Sequence, residues 1–179
     1  MPEKRALTGP TLARTVLGWG FSSKFYAGTA ESPIPEALCV PLADYGETLS
    51  PDFAVREPEP KENASAWQLV VKVLPDGMDF EQVVRGAGGL EASALGRMER
   101  FLRQSGVASG LLFNGRALRL VSAPKGESSG WLDFRISDMV QISGRPISTA
   151  MRLLLDEHRL LAAPQPARAG RARSCHWQT

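Results

Sequence analysis

The sequence predicts an α/β domain in which helices pack on a mixed β-sheet. Three observations lead there. The run WQLVVKVL, Trp67 to Leu74, is rich in valine and leucine and reads as a strand. In SGLLFNGRALRLVSAP, two apolar runs flank Asn114-Gly115, a dipeptide suited to the positive φ angles of a tight hairpin turn. EASALGRMERFLRQS and GRPISTAMRLLLDEHRLLAA carry apolar residues at helical spacing on either side of that hairpin. Strands and helices in this order build a layered sheet domain.

In chain order, residues from Thr11 to about Trp19 form a short helix, with Leu12, Val16 and Trp19 roughly on one side. Pro33, Pro35 and Pro41 then make irregular chain or edge structure. DFAV is a short strand, and the polar EPEPKENAS connects it to WQLVVKVL, which the turn signal PDG stops. Leu95, Met98, Phe101 and Leu102 line the next helix, and Gly106 stands where a C-terminal glycine cap belongs. After the hairpin, WLDFRI alternates Trp131, Asp133 and Arg135 against Leu132, Phe134 and Ile136, as in a strand with one wetter face. Pro146 opens the last helix. Its apolar stripe is expected to run through Ile147, Ala150, Met151, Leu154, Leu155, His158 and Leu161.

The 179 residues suit one domain over 11–163, with a disordered segment at 1–10 and a flexible basic tail at 164–179. The apolar fraction of 43% and the charged fraction of 22% are ordinary for a globular chain. A net charge of +2 does not by itself argue for nucleic acid, but arginines gather in the second half. Cys39 and Cys175 lie far apart and form neither a disulfide framework nor a metal-binding pair, which fits a reducing cytoplasm. The N-terminus has no long apolar run, so neither a signal peptide nor membrane association is expected.

The chemistry-bearing stretch is SPDFAVREPEPKENASAWQLVVKVL, Ser50 to Leu74. Metal-dependent nucleases use one acid and a second acid two positions before a lysine to hold the ion, and the lysine assists at the phosphate. Asp52 fits the first acid and metal ligand, and Lys72 fits the lysine, but the intervening position is Val70. Glu57, Glu59 and Glu62 are the available substitutes, all in the connecting loop. The plainer reading has Asp52 opening a turn after Pro51 and Lys72 as a polar position on a half-buried strand.

Arg97, Arg100 and Arg103 recur at helical spacing, and Arg116 and Arg119 follow the hairpin turn. With Lys125 in PKGESSG, Pro124 to Gly130, they form a candidate phosphate-contacting set; the alternatives are a solvated face for each arginine and a plain connection between two strands for PKGESSG. GAGG, Gly86 to Gly89, lacks the lysine of a phosphate loop and reads as a flexible turn. His158 is a helix-face residue with no nucleophile to serve, and His176 is in the tail.

LLFNGRALRLVSAPKGESSGWLDF, with the upstream SPDFAV and WQLVVKV and the downstream GRPISTAMRLLL, resembles the N-terminal region of bacterial restriction–modification proteins. The likeness is to adenine-specific DNA methyltransferases of the type IIG and DISARM phage-defence kind. It covers about Pro51 to Leu161. The resemblance implies a restriction-endonuclease-like core related to PD-(D/E)XK nucleases, with Asp52 and Lys72 at catalytic positions and Val70 departing from the second acid. It also implies DNA and a methyltransferase, or another restriction-system subunit, as partners. The glycine-rich S-adenosylmethionine loop and the catalytic Asn/Asp-Pro-Pro-Tyr/Phe motif of those methyltransferases are not in this sequence, so methylation by this polypeptide is not expected. The expected function is therefore DNA or partner contact by a catalytically degenerate nuclease-like domain, without a cofactor. A Mg²⁺-dependent endonuclease and a structural fragment without independent activity are the alternatives.

Overall fold

The computed structural model describes residues 9–60, 62, 65–86 and 88–161. The expected disordered N-terminus and basic tail, including Cys175 and His176, lie almost wholly outside these residues. A six-stranded mixed sheet forms the centre. Its strands, in spatial order, are β1 (Tyr26–Ala27), β4 (Phe53–Arg56), β5 (Trp67–Val73), β8 (Ser109–Phe113), β9 (Ala117–Ser122) and β10 (Gly130–Arg135). All neighbours are antiparallel except β5 and β8, which run parallel, Leu69 facing Ser109 and Val73 facing Phe113. That parallel pair needs a crossover, and α2 (Ala94–Ser105) lies on it.

Both sheet faces are covered, which explains why β5 and β8 read as nearly unbroken apolar runs. On one face Ala54, Val70, Leu112 and Val121 pack against Met98, Phe101 and Leu102 of α2. The small hairpin of β2 (Val40–Leu42) and β3 (Glu47–Leu49) adds Val40, Leu42 and Leu49 there. On the other face Val55, Leu69, Val71, Leu111 and Leu118 meet Leu12 of α1 (Gly9–Val16) and, beyond the short α3 (Ile136–Met139), Met151 and Leu155 of α4 (Arg145–Leu155). Among the described residues no helix is long and apolar enough to cross a membrane.

Ser93 caps α2, its hydroxyl accepting from the Gly96 N–H at 3.0 Å, and Gly106 ends it in the left-handed region. The helix thus starts at Ala94 and not at Glu91, where the expected segment began, because Glu91–Ala92 forms β7, paired with β6 (Val84–Arg85). The hairpin turn also departs from expectation. Gly115 alone takes a positive φ, 79°. The Asn114 side-chain oxygen accepts the N–H groups of Arg116 (3.0 Å) and Ala117 (2.8 Å), so the asparagine builds the turn through its side chain.

The last helix is two. Asp156 is extended (φ −62°, ψ 139°) and caps α5 (Glu157–Leu160), its carboxylate accepting from the His158 N–H at 3.0 Å. The expected continuous stripe does not form: Met151 and Leu155 are buried, whereas Ile147, Ala150 and Leu154 of α4, and His158 beyond the break, are exposed. α5 is instead fastened to the N-terminal region. The Glu157 Oε1 accepts from the Tyr26 hydroxyl (2.8 Å) and the Gly20 N–H (3.0 Å), and the Trp19 indole N–H donates to the Leu155 carbonyl (2.8 Å).

Candidate functional site

Asp52 and Lys72 meet across β4 and β5. The Asp52 N–H donates to the Val71 carbonyl (2.8 Å), which sets the carboxylate beside the end of β5. Lys72 Nζ donates to Asp52 Oδ1 at 2.9 Å and to the Ser50 carbonyl at 3.2 Å. The Val73 N–H donates to Asp52 Oδ2 at 2.7 Å. Both carboxylate oxygens therefore close the mouth of the β4–β5 pair.

Val70, Lys72 and Leu74 alternate onto one face of β5 and border a cavity of about 340 Å³ between the sheet, β3 and α2. Val70 is 0% exposed there and presents an alkyl wall where the nuclease motif has its second acid. Glu57 follows β4 at the other end of the strand, five residues and roughly 16 Å from Asp52 at about 3.3 Å per residue, and Glu59 and Glu62 lie in the loop beyond it. They cannot supply the second acid. Among the described residues no group of three or more His, Cys, Asp or Glu side chains is arranged to hold a metal ion. Mg²⁺ prefers several oxygen ligands in octahedral array, and this donor set does not fit it.

The carboxylate that does line the cavity is Glu47, and the Arg97 Nη1 donates to its Oε1 while Nη2 donates to the Leu90 carbonyl (3.0 Å). Sequence reasoning missed Glu47 because it stands 50 positions from Arg97 in the short β2–β3 hairpin. The β6–β7 turn seals this pair: a side chain on Gly86 would collide with Glu47 and Arg97, and one on Gly88 with the Tyr45 carbonyl. Within the GAGG segment, Gly86 and Gly88 are therefore close-packing positions.

The arginine set does not form one surface. Arg97 turns inward to Glu47, Arg100 stacks over the Tyr45 ring at 5.9 Å, and Arg103 pairs with Glu99 at 3.9 Å. Arg116 at the hairpin turn pairs with Asp76 at 3.1 Å and stays exposed. Arg119 departs furthest from the phosphate-contact expectation, at 7% exposure. Its Nε and Nη2 donate to the Asp133 carboxylate (2.6 and 2.7 Å), and Nη1 donates to Glu81 (2.9 Å). The guanidinium lies between the Phe80 and Trp131 rings, 5.0 and 5.1 Å from their centroids. Hydrogen bonding to Asp133 raises its pKa, against an opposing contribution from burial. The alternation of WLDFRI placed Asp133 on the wetter face, and the β9–β10 register of the structure sets it opposite Arg119. Lys125 lies exposed in the loop joining β9 to β10.

Comparisons of this chain with protein-family models, with curated proteins and with solved structures find no match.

Proposed function

We propose that this chain is a catalytically degenerate, nuclease-like α/β domain of a restriction–modification or phage-defence system, acting in the cytoplasm by contacting DNA or a methyltransferase partner. The observation that carries the reading is the meeting of Asp52 and Lys72 at 2.9 Å with Val70 walled into the sheet beside them. An acid and a lysine stand together as a nuclease site requires, but the alkyl group at the third position and the two occupied oxygens of Asp52 leave no ion cradle. The strand order supports a restriction-endonuclease-like core: the antiparallel pair bearing Asp52 and Lys72 is followed by α2 and the parallel β8.

The cations offered to phosphate are Arg100, Arg103, Arg116 and Lys125; Arg97 and Arg119 serve the interior. Phosphate contacts of this kind bind without reading sequence and weaken steeply with salt. The test is fluorescence anisotropy of a labelled duplex at low and moderate salt, with a plasmid-nicking assay in Mg²⁺ and Mn²⁺. The reading expects salt-sensitive binding, weakened by Arg100→Ala with Arg103→Ala, and no nicking. Nicking abolished by Asp52→Ala would establish the endonuclease instead. Failure to bind either duplex DNA or a methyltransferase subunit would sink the proposal.

A further inference from the structure

We infer that the cavity between β3, β5 and α2 is a binding site for a small, uncharged and largely apolar molecule carrying one hydrogen-bond acceptor. Its volume of about 340 Å³ falls in the range of ligand pockets. Leu49, Val70, Leu74, Met98, Phe101 and Leu112 supply an apolar wall drawn from three strands and one helix. Four charged groups stand at or beside it, and they cancel in pairs: Lys72 with Asp52, and Arg97 with Glu47. A charged ligand would lose its hydration and gain no net opposite charge, which selects a neutral molecule.

The polar end of the ligand is assigned by Lys72. An ammonium has three N–H donors, and Asp52 Oδ1 and the Ser50 carbonyl take two of them. The third remains for a carbonyl or ether oxygen on a molecule whose body lies along Val70 and Leu74. The inference concerns the cavity alone and is independent of whether the chain contacts DNA.

The test titrates the purified full chain, without DNA, with benzylacetone, a neutral aryl ketone, and with phenylbutyrate, an anion of similar shape. Binding is followed by amide chemical shifts in two-dimensional NMR. Saturable ketone binding is expected, with shifts centred on Val70, Lys72, Leu74, Met98 and Leu112, and the carboxylate at least about tenfold weaker. Lys72→Met is expected to weaken the ketone about fivefold, the factor one ordinary hydrogen bond supplies. Ala94→Leu, which places extra methyl groups in the cavity, is expected to abolish binding. If Ala94→Leu does not fold, Lys72→Met and the shift map decide. No saturable binding, shifts centred elsewhere, a tighter carboxylate, unchanged ketone affinity in Lys72→Met, or unchanged affinity in a folded Ala94→Leu protein would each overturn the inference.

Discussion

Arg119→Met separates an internal tie from a DNA contact. The change keeps the apolar stem and removes the guanidinium, leaving Asp133 and Glu81 without their shared cation. Breaking a fully buried ion pair costs about 3–5 kcal/mol. Here the acceptors regain water in part, because the Asp133 side chain is 32% exposed and that of Glu81 59%, which lowers the figure. Loss of the cation held between Phe80 and Trp131 adds about 0.5–1 kcal/mol. The expected net cost is about 2–4 kcal/mol, or a fall in Tm of roughly 5–15 °C for a chain of this size. Urea unfolding of wild type and variant at neutral pH measures it, with an unchanged m-value showing that the unfolded state is unaltered. A companion cycle with Asp133→Ala should show coupling above about 1 kcal/mol. A loss below about 0.5 kcal/mol, together with clearly weakened duplex binding, would refute the internal role and return Arg119 to the phosphate set.

Three further outcomes are expected. Asp52→Ala should cost more than Lys72→Met, about 2–3 against at most about 1 kcal/mol by urea unfolding, because Asp52 also accepts the Val73 N–H while the half-exposed ion pair is weak; equal losses would mean the ion pair itself holds the strand ends. Tyr26 is 1% exposed, and burial, then the hydrogen bond to Glu157, raises its phenol pKa above the ordinary value. The unfolded phenol ionises near pH 10 while the folded one stays neutral, so this stability is fully present below about pH 10 and is lost as pH rises beyond it, by about 1.4 kcal/mol per unit. Tyr26→Phe should be shallower across that window in urea midpoints, and identical slopes would contradict the assignment. Gly88→Ala should destabilise by about 1–3 kcal/mol, since its methyl meets the Tyr45 carbonyl; a thermal midpoint within a degree of wild type would show that the β6–β7 turn gives way freely.

Local order was legible in the sequence wherever one short-range rule governed it. Short apolar runs bounded by turn signals located β5, β8 and β9, helical spacing located α2, and Gly106 marked its end, because each depends on neighbours within a few residues. The last helix was misread because its apolar residues kept helical spacing through Asp156, and only the docking of Glu157 on Tyr26 and Gly20 favoured a break there. The candidate site divides in the same way. Asp52, Lys72 and the absent acid at Val70 could be named from the sequence, whereas the occupation of both Asp52 oxygens required β4 to lie against β5. Arginines present the same face in a sequence whether they meet water or carboxylate. Charge has no periodicity that distinguishes the two, so the partners Glu47, Glu81 and Asp133, 14 to 50 positions away, became visible only when the sheet and the β6–β7 turn brought them together.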